Sequence, residues 1–442
     1  MLPPLRSLSK KGYTSLRWGD DPYLSFRMKW LPKPWNLGLI LAATWLAGCS
    51  ATSLQTPSQR RPYDRESSSL HPEITLHRRA DASELDVYLR VPREELLYSR
   101  LDASSPFVAQ LRVDVGDTSW HVLDTAWEDT PRLFTQRWTL RASPLPIWEE
   151  ITVVDVLRNA SWSTKRNVAP SDRWGSNDVL VWSTTDDWPL SGENAQIGDT
   201  LMLHLPPQLA LSSTEPVIWD MSNAASPTQL PPPPYSSARL RWDTLRPKAL
   251  GSLQADSLIV LVVPDGTTLL QLRGTNLALR FHGRSGHFPE LIDAEELVAP
   301  LRYIASRSEF HRLSSADHPK LALDEFWLAC GSSSESARGL LNTYYSRVEE
   351  ANLAFSGMVE GWRTDRGMIH VVFGVPQRVR RDAWNEYWIY GEEGTANALT
   401  FHFRKRSNAL DNNYFELQRS IQFRSVWDRG ISNWRNGRVR GD

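Results

Sequence analysis

From about Pro72 to about residue 305 the chain is a succession of short strand-like runs, some of them alternating apolar and polar residues with a period of two, and no other feature constrains the fold as much. Successive side chains of an extended chain point to opposite faces, so such a run can bury one face and wet the other. Residues 84–91 (ELDVYLRV) and 107–115 (FVAQLRVDV) show the alternation, and the strand-like runs 137–140 and 151–157 follow. Turn residues separate these runs at short intervals, as in an antiparallel sandwich. A second strand-rich block starts near Asp178, with strands at residues 179–182, 200–205, 217–219, 257–263 and 277–281. Within it Pro231 to Pro234 form a stiff extended loop, and Asp265-Gly266 is a hairpin-turn signal. No helical-period segment alternates with these strands, which argues against a parallel α/β sheet. The boundary between the two blocks falls at residues 169–176, a stretch of turn formers.

After about Ser306 the period changes. Residues 321–330 read as a short helix. Ala337, Leu340, Leu341, Tyr344, Val348, Ala351 and Phe355 then recur at three- and four-residue spacing. That is one apolar face of a helix of about six turns. Ser332 and Glu335 have the spacing of its capping box, and Ser356-Gly357 ends it. Strands resume at residues 368–373, 387–390, 399–403 and 415–417. The sequence therefore predicts a mainly β protein: two antiparallel β-sandwich-like domains, then a small α+β domain with one long helix packed on an antiparallel sheet.

Charge is balanced, with 50 basic and 51 acidic residues, so no nucleic-acid partner is expected. The two cysteines are Cys49 and Cys330. Cys330 follows Phe326-Trp327-Leu328-Ala329 and reads as a small buried hydrophobe. Many of the 20 Trp, among them Trp120, Trp138, Trp148, Trp182 and Trp219, lie in strand-like runs. They either pack in the core or form a stacking platform for sugar rings.

The N-terminal region carries a different signal. A 12-residue apolar run, residues 37–48, follows Lys29 and Lys33 and ends in Leu46-Ala47-Gly48-Cys49. It is too short to span a bilayer, and a basic stretch, an apolar core and small residues make a secretory signal. Leu46 to Cys49 resembles the lipobox of bacterial lipoproteins. The resemblance implies that Cys49 is acylated, palmitate included, and opens the mature protein as its membrane anchor. Met28 is the natural start, and residues 1–27 an upstream extension. Residues 49–70 are polar, Ser-rich and without periodicity, and read as a flexible tether. Residue 50 is Ser rather than Asp, which in this resemblance implies the outer membrane, facing the periplasm. The chain thus divides into residues 1–27, a signal peptide at 28–48, the tether at 49–70, β-sandwich domains at 71–170 and 176–305, and the α+β domain at 306–440.

Between the long helix and the next element lies Gly361-Trp362-Arg363-Thr364-Asp365-Arg366-Gly367. Gly361 and Gly367 permit unusual backbone conformations. Thr364 and Asp365 can accept from nearby backbone N–H groups, Trp362 can pack on the sheet, and Arg366 can pair with a carboxylate. This motif, with residues 323–327, Tyr344 to Val348, Ala351-Asn352, residues 373–376, Glu386 to Gly391 and residues 434–438, resembles the GWxTD-domain lipoproteins over about residues 320–440. The resemblance supplies no enzymatic activity. It leaves two roles open for Gly361, Trp362, Thr364, Asp365, Arg366 and Gly367. They form either a rigid turn fixing helix to sheet or a docking surface with Asp365 and Arg366 at its polar centre, supported by Arg347 and Asn352.

Chemistry-bearing motifs are scarce. The chain contains no GxxxxGK[ST], HExxH or GxSxG. His370 and His402, placed in strands that could face each other, lack a third ligand for zinc, and His282 and His287 read as turn residues. No catalytic residue, metal or cofactor is expected. The expectation is a non-catalytic outer-membrane lipoprotein whose β domains are a scaffold and whose C-terminal domain engages an envelope protein. A glycan or peptidoglycan ligand is the alternative, and an enzyme of unknown type the second.

Overall fold

The computed structural model describes Tyr63, Arg65 and residues 68–79, 84–129, 132–141, 147–168, 178–206, 216–240, 242, 245–392 and 398–439. Cys49, the apolar run before it, most of the 49–70 stretch and residues 169–176 lie outside the described residues.

The first sandwich contains β1 (Glu73–Arg78), β2 (Glu84–Pro92), β3 (Ala109–Val115), β4 (Thr118–Asp124), β5 (Leu133–Arg141), β6 (Ile147–Asp155) and β7 (Ala160–Val168). Its sheets run β1-β2-β5 and β4-β3-β6-β7, antiparallel throughout. Leu85, Val87, Leu89 and Val91 of β2 meet Leu111, Val113 and Ile151 across the core. Each such side chain stabilises the fold by about 1.5–3 kcal/mol through burial. The opposite face of β2 is covered as well. Asp86 accepts from Arg137 and Thr139 of β5, and the Tyr88 ring meets the edges of Trp182 and Trp188 in the next domain.

The second sandwich holds β8 (Leu180–Ser183), β9 (Trp188–Pro189), β10 (Asn194–Gln196), β11 (Thr200–His204), β12 (Ile218–Ala224), β13 (Lys248–Gln254), β14 (Leu258–Val262), β15 (Thr267–Leu272) and β16 (Ala278–Arg284). Its sheets are β14-β11-β8-β9 and β10-β16-β15-β12-β13, antiparallel apart from the β10–β16 pair. The Asp265-Gly266 turn departs from the hairpin expectation: β14 and β15 belong to different sheets, so the turn carries the chain across the sandwich. Gly266 sits there at φ +90° with its α-carbon against Ala224, where a Cβ has no room. His282 lies within β16 rather than in a turn, buried and bonded to Thr267.

The C-terminal body contains α1 (Ala294–Val298), α2 (Arg307–Ser314), α3 (Pro319–Cys330), α4 (Ser334–Phe355) and α5 (Asp365–Phe373). The antiparallel sheet β17 (Arg378–Arg381), β18 (Asn385–Tyr390), β19 (Leu399–Lys405) and β20 (Phe415–Leu417) follows, then α6 (Arg424–Arg435). Among the described residues the protein is therefore mainly β, with several antiparallel sheets and a helical C-terminal region built on one long helix. The long helix is capped by Ser333, which accepts from the Ser336 amide, not by Ser332 with Glu335.

Residues 368–373 form the helix α5, not a strand. A continuous apolar run such as Met-Ile-His-Val-Val-Phe has no period to read, and its caps decide. Thr364 accepts from the Gly367 amide at the N-terminus, and Gly374 at φ +77° ends the helix.

Two further expectations change. The core of this body already includes Val298, Leu301 and Tyr303, so it reaches upstream of residue 306. The tether stretch is anchored in two places. Leu70 is fully buried in the first sandwich, and Tyr63 packs in the C-terminal core. The second sandwich and the C-terminal body share a small core of Leu240, Trp242, Leu269, Met358, Leu410 and Tyr414, and buried Arg284 donates to the carbonyls of Gly357 and Val359.

Candidate functional site

The site is the crossing where α4 ends and α5 begins. The chain leaves α4 at Phe355, turns, and passes back under the helix it has left. Gly361 is buried against the backbone of Ala351 and Asn352, and Gly367 against the carbonyl of Gly361. A Cβ at either position would meet backbone, which explains both glycines without any appeal to positive φ. The Gly361 amide donates to Ser356 Oγ at 2.7 Å.

Trp362 is held at three points. Its amide donates to Asn352 Oδ1 at 3.3 Å, its carbonyl accepts from the Tyr303 hydroxyl at 2.8 Å, and its indole meets the Tyr303 ring at 70°. Asn352 in turn donates to the Pro289 carbonyl at 2.9 Å. Thr364 donates to the Gly361 carbonyl at 2.7 Å and accepts from the Gly367 amide at 3.0 Å, closing the turn and capping α5 in one hydroxyl.

The two charges of the motif point inward. Asp365 is 1% exposed and lies in the first turn of α5, where the helix dipole favours a carboxylate. It accepts from the Leu417 amide at 2.7 Å and from both terminal nitrogens of Arg419. Burial pushes its carboxyl above the ordinary value, and Arg419 pulls it back.

Arg366 is 4% exposed and faces away from Asp365. Its guanidinium sits between the rings of Phe355 and Phe415, 5.0 and 4.1 Å from their centroids. It donates to Glu386 at 3.3 Å and to the Asn413 carbonyl at 2.8 Å. The Asn413 amide donates to the carbonyls of Ala354 and Ser356, orphan acceptors at the end of α4. Glu386 is itself buried and also accepts from the Trp388 indole and the Tyr63 hydroxyl. Burial pushes the Tyr63 phenol well above its ordinary value.

Of the expected polar centre, Asp365, Arg366 and Asn352 do meet at this crossing, but as buried bonds rather than a surface. Arg347 serves another neighbour: its guanidinium lies 5.2 Å from the Trp434 ring centroid. His370 and His402 do not face each other. His370 lies inside on α5 and bonds Glu350, whereas His402 lies on the outer side of the sheet, stacked on Tyr387. Among the described residues no group of three or more His, Cys, Asp or Glu could hold a metal ion.

Four residues of this network were missed from sequence: Arg419, Asn413, Tyr303 and Tyr63. The available signal was one of demand, since Asp365 and Arg366 stand beside an apolar run and each needs a partner.

Residues 270–436 match the family model of the GWxTD domain. The chain carries a GWxTD domain. The match starts inside β15, well upstream of residue 320, and so takes in Arg284, Pro289 and Tyr303, which hold the motif or its surroundings. No curated protein matches the chain.

The Trp residues of the GWxTD domain mostly pack: Trp327, Trp362, Trp388, Trp427 and Trp434 are all buried. Of the strand Trp singled out from sequence, Trp219 is buried, while Trp120 and Trp138 stack on each other at the side of the first core. The side chain of Trp148 lies outside the described residues.

Proposed function

We propose that this protein is a non-catalytic lipoprotein of the bacterial envelope, acylated at Cys49 and held at the periplasmic face of the outer membrane. The two sandwiches serve as scaffold, and the GWxTD domain is the module that meets a partner protein of the envelope. The motif itself is an internal joint: it fixes α4, α5 and the sheet to one another, and the contact with a partner is made by the outside of the domain. The observation that supports this is the burial of Asp365 and Arg366 with all their charge spent on Arg419, Glu386 and Asn413. A residue placed to engage a partner or a substrate keeps some bonding capacity turned outward.

The test has two arms. Cells producing the tagged protein are labelled with palmitate, and the Cys49→Ala variant is carried beside it. The wild type is expected to take up label and sediment with outer membranes, and the variant to do neither. Gentle purification then identifies what travels with the wild type. Absence of label on Cys49 overturns the anchor. Turnover of an envelope substrate that disappears on Asp365→Asn, in a variant that remains folded, overturns the non-catalytic reading.

A further inference from the structure

The strand β14 (Leu258–Val262) ends the sheet β14-β11-β8-β9, so one of its edges has no strand beside it. The hydrogen bonds that frame its pairing with β11 fix which groups lie on that edge. The Leu205 amide donates to the Ser257 carbonyl, and the Val263 amide donates to the Asp199 carbonyl. Antiparallel bonds alternate along a strand, so Ile259 and Leu261 turn their backbone groups toward β11. Leu258, Val260 and Val262 turn theirs outward, and among the described residues no strand or turn bonds to them on that side. Their side chains are outside as well, 43, 60 and 61% exposed, whereas Ile259 and Leu261 are buried. The register sets Val260 beside Met202 and Met202 beside Trp182, so an apolar row crosses the outer face and reaches this edge.

Bare edges of this kind invite pairing with another chain, and proteins ordinarily guard them with charge, Pro, bulges or shortness. The other edge strands of the two sandwiches are guarded in these ways. β1, β4, β5, β7 and β13 carry charged residues, β9 contains Pro189, and β10 is 3 residues long. The contrast is sharpest with β13, which precedes β14 in the chain. It has Lys248 and a register shift against β12 between Gly251 and Ala249. β14 has no charge, no Pro, no Gly and no register shift.

We propose that β14 pairs edge to edge with β14 of a second copy of this chain, antiparallel about a two-fold axis at Val260. The strand is complementary to itself in bonding, in apolar surface and in charge. Centred on Val260, the pair sets Leu258 against Val262 of the second copy and Val260 against its own counterpart. Every outward amide then meets an outward carbonyl, about six bonds in all. Opposed side chains share one face, so the row Trp182, Met202, Val260 runs on into the same row of the second copy. Asp256 falls opposite Pro264 and Asp265 opposite Ala255, so no like charges stand opposed. A contact this small makes a reversible dimer, not a permanent one. The pairing uses the second sandwich upstream of the GWxTD match and does not draw on the anchor at Cys49.

Cysteine cross-linking tests both the contact and its register. The full chain with Cys49→Ala, kept in mild detergent, carries Val260→Cys, Leu258→Cys or Val262→Cys singly. Cys330 is buried and common to all three. At the axis the two α-carbons of residue 260 lie about 5.5 Å apart, within the span of a disulfide. Those of residue 258, and likewise of residue 262, lie about 14 Å from their own counterparts. Mild oxidation should therefore give a covalent dimer with Val260→Cys and little or none with the other two. The Cys49→Ala chain should also show a concentration-dependent dimer in sedimentation. Val260→Lys alters an exposed side chain, sets two ammonium groups opposite each other, and should abolish that dimer. Circular dichroism checks the fold of each variant. Three cysteine variants that cross-link alike, no cross-link at Val260→Cys, or a Val260→Lys chain that dimerises like its parent overturns the proposal.

Discussion

The ion pair between Asp365 and Arg419 gives the sharpest stability prediction. Both side chains are almost fully buried, at 1% and 5% exposure. Arg419→Met removes a two-pronged donor and leaves the carboxylate with the Leu417 amide as its remaining described donor. Breaking a buried pair from one side costs about 3–5 kcal/mol, because the surviving charge stays desolvated. That is a large part of the roughly 5–15 kcal/mol that holds a domain folded. Urea unfolding followed by Trp fluorescence should register a midpoint lower by roughly 1–3 M, since Trp362, Trp388 and Trp434 all lie in this domain. Removing both charges, in Asp365→Asn/Arg419→Met, should recover most of the loss.

The pH dependence has a definite sign. Burial raises the Asp365 carboxyl and Arg419 lowers it, so deleting Arg419 leaves the folded-state value further above the unfolded one. A carboxyl raised on folding binds its proton better in the folded state. Stability of Arg419→Met should then rise as pH falls, and its deficit against wild type should narrow from pH 7 toward about pH 5. A deficit below about 1 kcal/mol, or a double variant no better than the single one, would refute the buried-pair account.

Three other outcomes follow from the same structure. Gly367→Ala gains up to about 1 kcal/mol of helix propensity but drives a Cβ into the Gly361 carbonyl, so net destabilisation of about 1–3 kcal/mol is expected in the same urea assay. Thr364→Ala loses the N-cap of α5 and the bond to Gly361, and thermal unfolding should show a loss of about 0.5–2 kcal/mol. His77 is pushed down to about 4 by burial, so the neutral form belongs to the folded state. Its contribution is complete above pH 6.5 and is lost as pH falls toward 4, and a proton-NMR titration of the His77 ring should place its midpoint near the lower value.

The period-two runs located the first sandwich, where a strand such as β3 buries alternate residues, short apolar runs between turn formers located the second, and the three-and-four spacing from Ala337 to Phe355 located α4 by the one face it buries. Residues 368–373 were misread because a segment buried on every side carries no period. Only Thr364 and Gly374 at its ends distinguish helix from strand. The motif's residues were legible, but their burial was not. Two adjacent charges ordinarily argue for the surface. What sends them inside is a set of partners far along the chain: Arg419, Glu386 and Asn413. The anchoring of Tyr63 was equally hidden, because one aromatic in a polar stretch has no local pattern to mark it. Its socket is assembled from Phe355, Arg381, Glu386 and Trp388.

That the GWxTD motif is a buried joint is tested most directly by amide hydrogen exchange on the intact protein. The amides of Trp362, Thr364, Gly367 and Met368 donate to Asn352, Gly361 and Thr364 inside the domain. They should exchange only when the whole domain opens, at the rate of the β18 and β19 amides. Exchange at the motif much faster than in those strands would show a surface element, and would contradict the joint.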